Sequence, residues 1–285
     1  MAKKIILGTA QSISGYGVTN SKESIDMHKL LNSFYILGGR DIDTAPDYAN
    51  AEKIIGVDSN LFNVTTKIPL IHDLSRKDYI QQVSDSIEKS MNNLKLSSID
   101  NLLIHDVGSF IENFNDDVRK FIESLKDNGV IKNFGASVYS PKELEQLMNL
   151  ISIDLVQFPL SPFNQAFISS NFLKKLNLQG ISTYARSIYM QGLLVTEKYK
   201  SIPYFNKWSR NFESWFEFCK LQEISSPQAC LAFIDSIDFL DGYVVGVTSE
   251  EELSELYFDR SVLKGGQFNQ FAVNDGGLID PRKWI

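Results

Sequence analysis

Short apolar runs alternate with longer amphipathic stretches along almost the whole chain. Ile5–Leu7 is a compact apolar run that ends at Gly8. Similar extended segments recur at 41–44, 62–66, 99–104, 133–136, 155–158, 180–185 and 243–247. Their β-branched and aromatic content, bounded by Gly, Asn and Asp, predicts eight strands. Between them, apolar residues return at helical spacing. Ile25, Met27, Leu30, Leu31, Phe34 and Leu37 mark one helix over 21–37, stopped by Gly38-Gly39. Ile80, Val83, Ile87, Met91 and Leu94 make a single stripe over 79–94. Further helices are predicted over 118–125, 141–150, 166–176, 208–221, 227–237 and 249–257. Ser140-Pro141 opens one of them as an N-cap pair.

Repeated strand–helix units of this kind require a parallel sheet, because right-handed crossovers carry the chain back to the same edge. An open doubly wound sheet and a closed barrel both satisfy that rule. The count of eight favours an α/β fold of the TIM (β/α)8 barrel type. No linker-like segment divides the 285 residues, which predicts a single barrel domain over 1–285. The longest departure from the pattern, 197–225, follows the seventh strand. It is rich in aromatics, among them Tyr199, Tyr204, Phe205, Trp208, Phe212, Trp215 and Phe216.

Composition narrows the picture. With 43% hydrophobic and 22% charged residues the chain is that of an ordinary globular protein. A net charge of −7 argues against a general nucleic-acid binder and against adsorption to anionic membranes. No stretch reaches the roughly 18 uncharged apolar residues needed to span a bilayer. Lys3-Lys4 before Ile5–Leu7 is too short a pattern for an export signal, so a cytoplasmic location is expected. Cys219 and Cys230 lack the spacing of a metal or redox motif and are expected to be reduced core thiols. No metal site is expected.

In a barrel, reactive groups belong at the C-terminal ends of strands. Asp43, Lys67 and His105 follow or end the second, third and fourth strands, and Tyr48 lies in the loop after the second. Each has an ordinary structural use when taken alone, so the case rests on their joint placement. Together they suit acid–base work on a carbonyl. A phenol is a weak acid, with a pKa of about 10. A charged lysine beside it favours the phenolate, an aspartate can hold that lysine, and a histidine can orient a carbonyl oxygen. None of these groups donates hydride, so a reduction needs a cofactor.

The run Gly38-Gly39-Arg40-Asp41-Ile42-Asp43-Thr44-Ala45-Pro46-Asp47-Tyr48, with Glu52 after it, resembles the signature of the aldo-keto reductase superfamily. So do Leu7-Gly8-Thr9-Ala10-Gln11, Leu102–His105, Ile131–Ser137, Gln157–Asn164, Gln191–Leu194 and Val245–Ser249, in the same order along the chain. The resemblance, to a short bacterial branch of that superfamily, implies a TIM barrel that binds NAD(P)H. It implies Tyr48 as general acid, Lys67 as the neighbour that lowers its pKa, Asp43 as the partner of Lys67, and His105 as a substrate-orienting group. It places Gly8, Thr9, Asp43, Ser137, Gln157, Arg186, Gln191, Gly192, Leu194, Gly246, Thr248 and Glu255 along the cofactor.

Departures from the family pattern matter. Val138 stands where an Asn normally joins Ser137 in holding the carboxamide, and Arg186 where a tyrosine stacks on the nicotinamide. Arg186 is expected beside the cofactor, the alternative being a carboxylate partner across the mouth. Gly246 and Glu252 occupy positions where NADPH-dependent relatives carry cations, and Glu250 and Glu251 add negative charge. NADH is therefore expected to serve at least as well as NADPH. Backbone N–H groups at the start of that last helix are candidates for phosphate oxygens. Tyr16, Phe110, Phe163, Tyr189 and the aromatics of 197–225 are candidates for the substrate wall, and a small carbonyl or sugar for the substrate. Two rivals remain on sequence alone: a cofactor-binding regulatory protein without turnover, and a sugar isomerase or epimerase on the same barrel.

Overall fold

The computed structural model describes residues 3–10, 26–71, 76–257 and 268–284. Eight strands close into one barrel in sequence order: β1 (Lys4–Gly8), β2 (Asp41–Asp43), β3 (Asn63–Ile68), β4 (Ile99–Ile104), β5 (Ile131–Ser137), β6 (Leu155–Pro159), β7 (Ser182–Arg186) and β8 (Gly242–Val245). Every pairing is parallel, and β1 closes the barrel on β8 through the register Lys4↔Gly242 to Leu7↔Val245. Helices connect the strands, as a parallel barrel requires.

The side-chain alternation of strands sorts the barrel into layers. Outward residues such as Leu7, Ile42, Val64, Leu102, Ile104, Phe134, Val156, Phe158 and Val245 join the main core beneath the helices. Inward residues Ile6, Leu103, Leu155 and Tyr184, with Val244 against them, form a separate apolar plug. Gly135 lies at this level, where a Cβ would stand 2.1 Å from the carbonyl oxygen of Leu155, so no side chain fits. Two residues further along β5, β6 and β7 the inward positions are Ser137, Gln157 and Arg186, and Lys67 joins them from β3. Tertiary geometry thus lifts the polar residues one layer above an apolar floor.

Local chemistry sets the helix boundaries. Asp26, Asp106, Asn115, Ser140, Ser225 and Ser249 each accept a backbone N–H at a helix start. The predicted helix over 21–37 appears as Met27–Ile36, and its expected start lies outside the described residues. The one predicted over 166–176 is two pieces, Ala166–Ser169 and Phe172–Leu178. They are divided at Asn171, whose φ of 55° is left-handed, a conformation asparagine tolerates better than most residues. A helix at Val107–Asn113, capped by Asp106, has too few turns to show a periodic pattern.

The segment 197–225 folds as two 3₁₀ stretches and the helix Ser209–Leu221. Its aromatics pack downward. Tyr199 stacks on Phe212 with centroids 4.4 Å apart, Phe212 lies 5.3 Å from Phe163, and Trp215 lies 5.3 Å from Phe271. The indole N–H of Trp215 donates to the carbonyl of Leu194 at 2.9 Å. Cys219 and Cys230 are both buried and unbridged, and burial pushes the Cys219 thiol up to about 12. No helix among the described residues is long and apolar enough to cross a membrane.

Candidate active site

The C-terminal mouth of the barrel opens into a cavity of about 620 Å³. Asp43, Tyr48, Lys67 and His105 all line it. At its floor Lys67 Nζ donates to Asp43 Oδ1 at 2.6 Å and to the carbonyl of Thr44 at 2.8 Å. Both charged side chains are almost fully buried. The other carboxylate oxygen of Asp43 accepts from Gln157 Nε2 at 2.6 Å. Lys67 Nζ lies 5.0 Å from the centroid of the Tyr48 ring, and the His105 ring meets that ring edge-on at 6.0 Å.

The direction of the Tyr48 shift corrects one expectation. Burial raises the phenol above its ordinary value, and the Asp43 carboxylate adds to the rise; the Arg186 guanidinium opposes both. The net shift is upward although Lys67 Nζ lies 5.0 Å from the ring centroid. Tyr48 is therefore a protonated phenol throughout the physiological range, which is the state a proton donor needs.

His105 is held by a residue that sequence reasoning had not singled out. Its Nδ1 lies 3.1 Å from Asp47 Oδ2, and this hydrogen bond holds the Asp47 carboxyl below the usual range. An ionised carboxylate only accepts, so Nδ1 carries the proton in this pair and a neutral ring leaves Nε2 as an acceptor. Asp47 sits inside the signature run, one residue before Tyr48. Its signal was present but was indistinguishable from a turn residue.

The residues expected along the cofactor divide into two groups. Gly8, Asp43, Ser137, Gln157, Arg186, Gln191, Gly192, Gly246, Thr248 and Glu255 line the cavity. Thr9 and Leu194 do not. Thr9 is fully buried and its hydroxyl donates to the backbone carbonyl of Asp43 at 3.0 Å, so it braces β1 against β2. Leu194 is fully buried and its carbonyl is taken by Trp215. Among the expected substrate-wall aromatics that fall in the described residues, only Tyr189 reaches the cavity. Phe110, Phe163, Tyr199, Phe205, Trp208, Phe212 and Trp215 are core, since the segment folds down onto the barrel. Tyr16 lies outside the described residues. Tyr139 and Lys198 line the cavity without having been anticipated. Tyr139 is in a loop and Lys198 in a short 3₁₀ helix, where no periodicity signals direction.

Arg186 has no carboxylate partner among the described residues. Its Nε donates to Ser137 Oγ at 3.0 Å and a terminal nitrogen to the Val138 carbonyl at 3.1 Å. The buried Val138 thus offers its backbone to the arginine in place of an asparagine amide. The helix after β8, Glu250–Glu255, also differs from expectation. The Thr248 N–H donates to Glu252 Oε2 at 2.6 Å and the Glu252 N–H to Ser249 Oγ at 3.2 Å, so these donors are already satisfied. Glu250 pairs with Lys29 and Ser33, away from the cavity, and the Lys29 hydrogen bond holds its carboxyl low. Glu252 and Glu255 remain as cavity-lining carboxylates.

A nicotinamide carboxamide fits the residues present. Gln157 Oε1 is buried without a hydrogen-bond partner, which an amide N–H₂ would supply. Ser137 accepts from Arg186 and keeps its own O–H to donate.

A closed parallel barrel with this Asp–Tyr–Lys–His cluster at its mouth defines an NAD(P)-dependent oxidoreductase. A model of the aldo/keto reductase family matches residues 4–264, and the chain belongs to that family. It is 25% identical to D-arabinose 1-dehydrogenase of Saccharomyces cerevisiae, over 97% of this chain and 88% of that one. An uncharacterized oxidoreductase of Bacillus subtilis is 34% identical over 41% of this chain and 36% of its own. Among solved structures, the glycerol dehydrogenase of Gluconobacter oxydans superposes with a TM-score of 0.69 at 18% identity, covering 98% of this chain and 91% of that one, a likeness of fold.

Proposed function

We propose that residues 1–285 form a single-domain carbonyl reductase or alcohol dehydrogenase for a small hydroxylated carbonyl compound, a sugar or sugar derivative included, with Tyr48 as its general acid. The observation that carries this reading is the Tyr48 side chain at the cavity, between the His105 ring and the buried Lys67–Asp43 pair. When bound, NAD(P)H supplies the hydride. Tyr48 donates its proton to the carbonyl oxygen as charge develops there, and takes it back from the alcohol in the reverse direction. His105, fixed by Asp47, orients the substrate by accepting from one of its hydroxyls at Nε2. Lys67 and Asp43 hold a balanced pair beneath the ring. Ser137 and Gln157 hold the carboxamide.

A hydroxylated substrate is supported by the polar and amphipathic groups around the mouth, His105, Tyr139, Tyr189 and Lys198. It is supported also by relatives named for arabinose and glycerol. The use of NADH at least as readily as NADPH is supported by Glu252 and Glu255, which would repel a 2′-phosphate and suit a ribose hydroxyl.

The test is nicotinamide oxidation across a panel of aldoses, short hydroxyaldehydes and ketones, with NADH and NADPH in parallel. Turnover of hydroxylated members with either cofactor supports the reading. Tight cofactor binding without turnover across the panel overturns it in favour of a regulatory protein. Sugar conversion without net change in the cofactor overturns it in favour of an isomerase or epimerase.

A further inference from the structure

Among the described residues of the cavity floor, the lysine has a carboxylate partner and the arginine has none. Lys67 faces Asp43 and His105 faces Asp47. Arg186, at the end of β7, meets only neutral oxygens: Ser137 Oγ, the Val138 carbonyl and, at 3.5 Å, Ser187 Oγ. Its guanidinium lies 4.3 Å from the centroid of the Tyr139 ring. The Arg282 guanidinium lies 3.8 Å from the same ring, but Arg282 is compensated by Asp280 at 2.9 Å and Glu143 at 3.5 Å. The Tyr139 ring and the hydrogen bonds to the Ser137 hydroxyl and the Val138 carbonyl therefore fix the Arg186 fork in place, with no carboxylate among the described residues to neutralise its charge.

That charge is next to the groups that fit a carboxamide. Arg186 bonds Ser137 directly, and β6 carries Gln157 two residues from Pro159, the register partner of Arg186. The ring attached to a carboxamide held there lies in the field of the guanidinium. A nicotinamide ring is neutral when reduced and carries a positive charge when oxidised. Like charges a few ångströms apart in a partly desolvated site shift an equilibrium by roughly ten- to a hundredfold.

We propose that Arg186 makes this site select the redox state of its cofactor, binding reduced nicotinamide in preference to oxidised through the uncompensated charge of its guanidinium. This rests on the reading that Ser137 and Gln157 hold the carboxamide. The oxidised cofactor is then the weaker ligand and leaves readily after carbonyl reduction. The same charge opposes the effect of burial on Tyr48, as expected for a cation facing the reacting centre.

The experiment is a binding titration of the whole chain, NADH by its fluorescence and NAD+ by competition, for wild type, Arg186→Gln and Arg186→Lys. Wild type is expected to bind NADH about tenfold or more tightly than NAD+. Arg186→Gln is expected to shrink that ratio several-fold, chiefly through tighter NAD+ binding, and Arg186→Lys to retain most of it. Equal affinities in wild type overturn the proposal without any variant. An unchanged ratio in Arg186→Gln, with both forms bound, overturns it while leaving the functional reading intact. Binding of neither form to wild type overturns the functional reading as well.

Discussion

Lys67 Nζ and Asp43 Oδ1 meet at 2.6 Å on the floor of the cavity, and neither side chain is exposed to more than a few per cent. The pair arises from strand alternation: each residue is the inward position at the C-terminal end of its strand, and the parallel register of β2 and β3 brings the two ends together. A buried pair is costly to break, because the surviving charge has no solvent to turn to. Asp43→Asn and Lys67→Met are each expected to lower stability by about 3–5 kcal/mol, and the double variant by less than the sum. Urea denaturation at neutral pH checks this. Additive losses would mean the two groups are not coupled.

Stability is expected to fall on the alkaline side. Burial raises the Tyr48, Tyr79 and Tyr184 phenols and both thiols, Cys219 to about 12. The unfolded chain ionises thiols near pH ~8.5 and phenols near ~10, while the folded chain keeps those protons. The folded state then binds more protons, so the contribution is complete below pH ~8.5 and is lost progressively above it. Thermal melts from pH 7 to 10.5 report the slope; a flat profile would contradict it. The same burial predicts that neither thiol reacts with a disulfide reagent at pH 8 until the chain is denatured.

Trp215→Ala is expected to cost about 3–5 kcal/mol, since it removes a fully buried ring and leaves the Leu194 carbonyl without its donor. Cofactor affinity should hold. A change in substrate preference at unchanged stability would place the aromatics of 197–225 at the substrate after all.

Glu252→Gln keeps an acceptor for Thr248 and removes the charge. The Michaelis constant for NADPH is expected to fall roughly three- to tenfold, with that for NADH little changed. Equal shifts for both cofactors would remove Glu252 from their discrimination.

Much of the fold was legible because a parallel barrel writes itself as repeated short apolar runs and amphipathic helices. Strand ends were legible too, and with them Asp43, Lys67 and His105. Less legible was direction. Thr9 and Leu194 are adjacent in sequence to cavity residues, yet the alternation of a strand and the path of a turn point them into the core. The aromatics of 197–225 read equally well as a wall or as packing, and only the tertiary contacts with Phe163 and Phe271 decide for packing. Asp47 and Tyr139 sit in loops and Lys198 in a single short 3₁₀ helix, where spacing carries no orientation. The sign of the Tyr48 shift was beyond the sequence, because it depends first on how deeply the barrel mouth buries the phenol.

The most direct measurement is a single-turnover comparison of wild type and Tyr48→Phe, with saturating NADH or NADPH and the best carbonyl from the panel. The substitution removes only the phenolic oxygen, so cofactor affinity is expected to be unchanged while the hydride-transfer rate falls by about a hundred- to ten-thousandfold. An undiminished rate would show that the proton comes from elsewhere and contradict the role given to Tyr48.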